Sequence, residues 1–219
     1  VTTTGQLSIR WIEKALNKYL NKILKTEHDY VIAVDTDSVY LRLGDLVGKT
    51  IGENLGTTDT ARVITFLDKV CENKIQPIID NACRELGDYT NVYQQKIVMK
   101  REALADKAIW TAKKRYILNV YNNEGVQYAK PKKKVMGLEM VKSSTPSACR
   151  VKLKEAIDVI FDADETTILS FIETFRSDFP NYPLEDIAFP RGLNAIAKWK
   201  DDKTIYASGT PIHVRGAIL

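Results

Sequence analysis

The chain has few of the residues that build disulfide frameworks and histidine-based sites. Only three cysteines and two histidines occur among its 219 residues. An odd number of cysteines without close spacing favours buried thiols in a reducing compartment over a disulfide framework or a zinc site. The longest apolar runs, such as residues 30–34, fall far short of the roughly 20 residues needed to cross a bilayer. No charged head followed by an apolar stretch opens the chain, so we expect neither a membrane span nor a secretory signal.

The remaining composition is that of a folded protein, with 44% hydrophobic and 27% charged residues. The net charge of +4 neither demands nor excludes a polyanionic partner. Basic residues are concentrated at 113–115 and 130–134, however, and such local clusters are typical of surfaces that bind nucleic acid. The sequence starts at Val1 without an initiator methionine, so we expect it to have been cut from something longer.

Hydrophobic periodicity predicts the secondary structure of the first half of the chain. Apolar residues at three- and four-residue steps over 7–24 predict an amphipathic helix. Two extended runs, 30–34 and 39–43, are separated by four polar residues and predict a β-hairpin. A second helical pattern starts at Thr60, where Pro77 is expected to kink or split the helix and Gly87 to cap its C-terminus.

The second half is predicted to change from strands to helices. We expect strands over 96–104 and 111–121, followed by a turn at 122–125 and a returning strand over 126–129. A Ser/Thr cap with Pro146 at the first helical position predicts a helix through 161, and another helix is expected over 167–179. Strands followed by helices indicate an α+β fold with a boundary near residue 137.

The predicted hairpin carries two carboxylates at its tip, Asp35 and Asp37. Residues two apart in an extended chain point the same way, and two neighbouring carboxylates repel each other unless a cation lies between them. A hard divalent ion such as Mg²⁺ would relieve that repulsion. Asp, Thr and Ser also favour turns in their own right, so spacing alone leaves a metal site and a plain polar turn open.

Several segments resemble the family B DNA polymerases. Residues 30–40 look like the family's third motif, in which an Asp-Thr-Asp-Ser turn carries catalytic carboxylates. The later segments resemble, in the same order, the palm and thumb of the replicative polymerase of T-even-type bacteriophages. They are 99–103, 112–121, 136–139, 143–146 and 213–216, and the stretch around 5–12 also resembles the family.

The resemblance implies a fold, a metal and roles for the acidic residues. It implies the later part of a polymerase palm over 1–136, with an antiparallel sheet that carries the Asp-Thr-Asp-Ser hairpin. A mostly helical thumb with an incomplete C-terminus would follow over 137–219. Two Mg²⁺ ions would act in the complete enzyme, with Asp37 as a direct ligand and Asp35 beside the primer end. Glu102 would be an auxiliary carboxylate, although Lys100 replaces an aspartate of the family pattern nearby.

The resemblance also implies contacts to primer–template DNA. Lys114 and Tyr116 match a Lys-x-Tyr element that contacts the new duplex from the minor groove, where base pairs present nearly alike acceptors. On the residues alone, this stretch also fits an ordinary exposed strand, and the lysines at 130–134 a solvated loop. Three further pairs complete the set of expected DNA contacts. Lys113 and Arg115 are expected as structural or phosphate-facing groups, and Lys132 and Lys133 to face duplex phosphates. Ser144 and Thr145 are expected at a helix start, where they also fit a plain cap.

The chain lacks the family's first motif, with its other metal-bridging aspartate, and the fingers lysine that binds the triphosphate. We therefore expect it to be inactive alone and to need an N-terminal polymerase half before it uses deoxynucleoside triphosphates. A sliding-clamp contact through this chain is not expected, and the site of action would be the cytoplasm of an infected bacterium. Two alternatives are a non-catalytic duplex-binding subunit and a haloacid dehalogenase-type phosphatase, which uses an Asp-x-Asp string on a parallel sheet.

Overall fold

The computed structural model describes residues 2–52, 60–200 and 205–219. The chain divides into two compact units, Val1–Lys134 and Val135–Leu219. The first unit contains helices and small antiparallel strand pairs, and the second is mainly helical. This architecture confirms the α+β class, while the palm and thumb assignments remain predictions.

The first unit begins with a long helix, a hairpin and three further helices. Their bounds are α1 Thr2–Leu24, β1 Val31–Asp35, β2 Ser38–Leu41, α2 Gly44–Ile51, α3 Thr60–Val70 and α4 Gln76–Tyr89. A π-helical segment, Cys71–Ile75, joins α3 to α4, and Pro77 lies in the first turn of α4. The predicted helix is thus interrupted just before Pro77, by the π-helical segment, and not at the proline itself. Gly87 does not end the helix, because α4 continues to Tyr89 and Thr90 is the capping residue.

The main core of this unit lies between α1, α4 and the hairpin. The apolar stripe of α1 buries Ile12, Leu16, Leu20 and Leu24 in one cluster with residues of α4 and with the start of β1. A polar contact fixes the same junction, because Asn17 Oδ1 accepts the backbone N–H of Tyr30 at 2.8 Å. The amphipathic helix and the hairpin were both predicted, and the structure confirms both.

A three-stranded sheet completes the first unit, with its strands in the order β3–β4–β5. The bounds are β3 Ala103–Ala112, β4 Arg115–Asn123 and β5 Val126–Met136. The β4–β5 turn was predicted correctly. Its two central residues, Glu124 and Gly125, both have positive φ values, of 49° and 87°, as a tight two-residue hairpin turn requires.

Three predictions for this sheet were wrong. Residues 96–102 form no strand, and β3 begins only at Ala103. The predicted strand over 111–121 is interrupted by a turn at Lys113 and Lys114, which we call the lysine turn. The lysines at 130–134 lie in strand β5 and not in a solvated loop.

The second unit contains four α-helices among its described residues. They are α5 Ser147–Asp162, α6 Glu165–Asp178, α7 Leu184–Ile187 and α8 Ile212–Ile218, with 3₁₀ turns at Glu139–Val141, Phe179–Asn181 and Ile196–Trp199. The Ser147 hydroxyl donates to Asp186 Oδ1 at 2.7 Å and thereby joins the first turn of α5 to α7. Among the described residues, no helix has both the length and the apolar composition that membrane crossing requires.

The predicted cap of α5 was wrong. Pro146 is the N-cap residue of α5, and no side chain there forms a capping hydrogen bond. Ser144 lies in the turn before the helix and is exposed, and Thr145 is half-buried. In α6, by contrast, Asp164 caps the helix by accepting the backbone N–H of Thr167 at 2.9 Å.

Candidate functional site

Asp35 and Asp37 lie at the tip of the β1–β2 hairpin, which we call the aspartate hairpin. Asp35 pairs with Ser38 as the last register pair, so that Thr36 and Asp37 form a two-residue turn. The Asp35 Oδ1 atom accepts the backbone N–H of Thr36 at 2.7 Å and its hydroxyl at 3.2 Å. These local bonds fix the orientation of the Asp35 carboxylate, and Asp37 is left exposed in the turn.

The lysine turn lies against the aspartate hairpin. Lys114 has a φ of 61°, in the left-handed region that lysine seldom adopts. Its ammonium donates to both carboxylate oxygens of Asp35, at 2.8 Å to Oδ1 and 3.1 Å to Oδ2. Two segments that are 79 residues apart in sequence thus form one charged site.

The contact between Lys114 and Asp35 shifts the pKa values of both side chains. The Lys114 hydrogen bond, followed by the backbone N–H of Thr36, lowers the pKa of the Asp35 carboxyl below its ordinary value. The Asp35 carboxylate in turn raises the pKa of Lys114, and the negative charge of Asp37 contributes in the same direction. The aspartate hairpin therefore favours the charged form of Lys114.

An aromatic cluster under this ion pair holds the aspartate hairpin on the sheet. The ring of Tyr40, in β2, meets those of Trp110 and Tyr116 edge-on, with centroids 5.3 and 5.5 Å apart. Trp110 and Tyr116 are direct register partners across β3 and β4. Burial, and then a hydrogen bond with Tyr40, raise the pKa of Tyr116.

The structure corrects the expectation that Lys114 and Tyr116 share one exposed strand face. Lys114 is in the turn with its side chain 60% exposed, whereas only 8% of Tyr116 is exposed. In a continuous strand over 111–121, residues two apart would point to the same face, but this alternation does not apply across a turn. Tyr40 and Trp110 were not singled out as site residues, because their contact with Tyr116 depends on the lysine turn.

We expect Tyr116→Phe to lower the free energy of unfolding of the first unit by about 0.5–1.5 kcal/mol, because it removes the hydrogen bond to Tyr40 and keeps the ring. Urea unfolding followed by circular dichroism measures this change. Tyr19→Phe is the matched control, since Tyr19 packs on the core of α1 and no hydrogen bond is described for its hydroxyl. Equal losses in the two variants would contradict the role of the Tyr116 hydroxyl.

The Glu102 carboxylate is paired with a lysine of a neighbouring strand. Its carboxylate forms an ion pair with Lys134 of β5, and the preceding residue, Arg101, pairs with Asp68 of α3 and donates to Asn122 Oδ1 at 2.7 Å. Within residues 2–52, 60–200 and 205–219, no group of three or more His, Cys, Asp or Glu side chains is placed to hold a metal ion. A metal ion at the aspartate hairpin would therefore need further ligands besides protein carboxylates of the described residues.

The other predicted DNA contacts are distributed over both units. Lys113 is exposed in the lysine turn, and Arg115 is half-buried at the start of β4. In β5 the Lys132 ammonium lies over the ring of Tyr128, 4.3 Å from its centroid, and Lys133 is half-buried. Ser144 and Thr145 belong to the second unit. Of the predicted site residues, the structure shows direct contact between Asp35 and Lys114.

Comparison with known proteins supports the resemblance described above. The chain is 37% identical to the DNA-directed DNA polymerase of Escherichia phage RB69 over 227 aligned positions, which cover all of this chain and 25% of that protein. It is 35% identical to the DNA-directed DNA polymerase of Enterobacteria phage T4, again over all of this chain and 25% of that protein. No protein-family model matches the chain. The resemblance to the T-even-type phage polymerases is confirmed, and the chain spans about a quarter of the length of these relatives.

Proposed function

We propose that this chain is the C-terminal part of a replicative polymerase. It aligns with about a quarter of the length of the two phage DNA-directed DNA polymerases. In this role the aspartate hairpin contributes carboxylates to template-directed nucleotidyl transfer. The observation that carries the proposal is the exposed Asp37 at the tip of an antiparallel hairpin, in a chain aligned throughout with named polymerases. The direct antiparallel return of β1 into β2 also favours this role over the parallel sheet of a haloacid dehalogenase-type phosphatase.

The two carboxylates fit a divalent cation. Asp37 is exposed and has no hydrogen-bond or ion-pair partner among the described residues, so its oxygens are available as ligands. Mg²⁺ is commonly bound by one or two carboxylates together with substrate phosphates and water, so the protein need not supply a full cage. Bound Mg²⁺ would activate the primer hydroxyl and neutralise charge on the transferred phosphate.

The chain's own residues position and hold the reactants. Asp37 would provide an open carboxylate for the metal, and Asp35 would lie beside the primer end in the orientation set by Thr36. The lysine turn would approach the minor groove of the new duplex with Lys114, while Lys113, Lys132 and Lys133 would face phosphates. Such contacts hold the duplex without reading its sequence, as a replicative enzyme requires.

Further partners follow from the same proposal. An N-terminal part would supply the first-motif aspartate and the fingers lysine, so the isolated chain would bind primer–template DNA but not use deoxynucleoside triphosphates. The host would be an infected bacterium, with action in its cytoplasm. A non-catalytic duplex-binding subunit is the second candidate, and the observation in its favour is that Lys114 already neutralises Asp35. Primer extension by the chain joined to its N-terminal part distinguishes these two functions, when the unsubstituted chain is compared with Asp37→Ala.

We expect Lys114→Ala to weaken primer–template binding about equally for all duplex sequences and to reduce the salt dependence by about one unit of slope. The reason is that a lysine facing near-equivalent minor-groove acceptors adds affinity without base discrimination. Fluorescence anisotropy with several labelled duplexes, at several salt concentrations, measures both effects. Lys152→Ala, in the second unit, is the charge-matched control. A loss confined to particular duplex sequences would contradict the assignment.

A further inference from the structure

The Lys114–Asp35 contact uses most of the hydrogen-bonding capacity of one site carboxylate. Asp35 Oδ1 accepts three hydrogen bonds, two from Thr36 and one from Lys114, and Oδ2 accepts from Lys114. A carboxylate has about four lone-pair positions. Little capacity therefore remains for a metal ion at Asp35 while Lys114 is in place.

Asp37 differs from Asp35 in this respect. It lies in the same two-residue turn, is exposed, and has no hydrogen-bond or ion-pair partner among the residues that the structure describes. Its negative charge nevertheless acts on the Lys114 ammonium. The Lys114 ammonium thus already occupies the cation position at Asp35, while the Asp37 carboxylate beside it is open.

We propose that Lys114 is a built-in counter-ion of the aspartate hairpin, which competes with divalent cations for Asp35 in the free chain. The inference deepens the proposed function and rests on it, since it concerns how the same carboxylates become available. Lys114 would leave Asp35 when the metal ion arrives, and its ammonium would then be free to contact duplex DNA. Asp35 would therefore bind either Lys114 or the metal ion, and the two states would exclude each other.

The pair is built for exchange rather than for permanent structure. The Lys114 side chain is 60% exposed and that of Asp35 25% exposed, so water and salt screen their attraction. A lysine ammonium on a flexible stem moves away at little cost, unlike a planar guanidinium in a two-point contact. Exposed pairs of this kind are weak, and their loss corresponds to a change of about two- to five-fold in an equilibrium.

The test is a titration of the chain with Mn²⁺, which prefers the same oxygen ligands as Mg²⁺ and is counted through its electron paramagnetic resonance signal. We expect Lys114→Ala to tighten Mn²⁺ binding about two- to five-fold. Lys113→Ala is the matched control, because it removes the same charge from the same turn and no contact with Asp35 is described for Lys113. We expect the control to have a clearly smaller effect.

A double-mutant cycle assigns the gain to Asp35. In the background of Asp35→Asn, Lys114→Ala should no longer tighten Mn²⁺ binding beyond the effect of Lys113→Ala. Equal effects of the two lysine variants, persistence of the gain in the Asp35→Asn background, or absence of Mn²⁺ binding in every variant would each overturn the proposal.

Asp37→Ala separates this inference from the proposed function. Weaker Mn²⁺ binding in Asp37→Ala together with equal lysine variants would refute only the competition and leave the metal assignment standing. Unchanged Mn²⁺ binding in Asp37→Ala would show that the aspartate hairpin is not the metal site, and both proposals would then fail.

Discussion

Asp37→Ala is expected to lower the rate of primer extension by at least about a hundred- to a thousand-fold once the chain is joined to the N-terminal part of the polymerase. The size of the effect follows from the local charges. Asp35 is already paired with Lys114, whereas the described residues leave Asp37 open. Replacing Asp37 therefore removes the carboxylate that is freely available to a metal ion. Single-turnover extension of a labelled primer measures the rate.

Asp88→Asn is the matched control, since Asp88 is an exposed carboxylate of α4 in the same unit and lies outside the site. We expect the control to extend the primer at the rate of the unsubstituted enzyme. The chain tested without the N-terminal part should show no extension. Full extension by the Asp37→Ala variant, when primer–template binding is unchanged, would refute the role given to Asp37 and favour a subunit that only holds duplex DNA.

The elements that sequence predicted correctly are those whose signals are local. The stripe of α1 repeats over its whole length, and the hairpin has two β-rich runs around a polar tetrapeptide. The turn after β4 contains Gly125, which accepts the positive φ that the turn requires. In each case the residues that form the element also carry the pattern, so no distant contact is needed to recognise it.

The features that sequence did not predict depend on distant contacts. The lysine turn contains none of the Gly, Asn, Asp or Pro residues that mark turns, so the chain was interpreted there as a continuous strand. Lys114 has a positive φ in this turn, and its ammonium donates a hydrogen bond to Asp35, which lies 79 residues away in the sequence. Because this turn fixes the register of β3 against β4, the pairing of Trp110 with Tyr116 was missed as well.

The candidate site was predicted in part for the same reason. Motif resemblance identified Asp35, Asp37 and Lys114, but it gave no information on how this chain pairs them. Glu102 follows an irregular segment whose position is set by Arg101 through contacts to α3 and β4, and its own carboxylate pairs with β5. Such a position results from packing between elements, so spacing in the sequence could not place Glu102 relative to the aspartates.

The aspartate hairpin is also expected to depend on the core beneath it, and Leu20→Ala tests this dependence. Leu20 is completely buried in α1, in the cluster that includes Tyr30 and Val31 at the start of β1. Removing most of a buried leucine side chain leaves a cavity, so we expect the free energy of unfolding of the first unit to fall by about 2–5 kcal/mol. Urea unfolding followed by circular dichroism measures the loss.

Ile23→Ala is the control, because Ile23 lies in the same helix with 36% of its surface exposed. Its replacement therefore removes less buried apolar surface than Leu20→Ala does. We expect a loss of about 1 kcal/mol or less for this variant. Similar losses for Leu20 and Ile23 would mean that α1 does not pack on the hairpin as described. Because a two-stranded hairpin is only marginally stable by itself, its position depends on this packing. Hydrogen exchange in β1 and β2 should therefore accelerate in Leu20→Ala and remain nearly unchanged in Ile23→Ala.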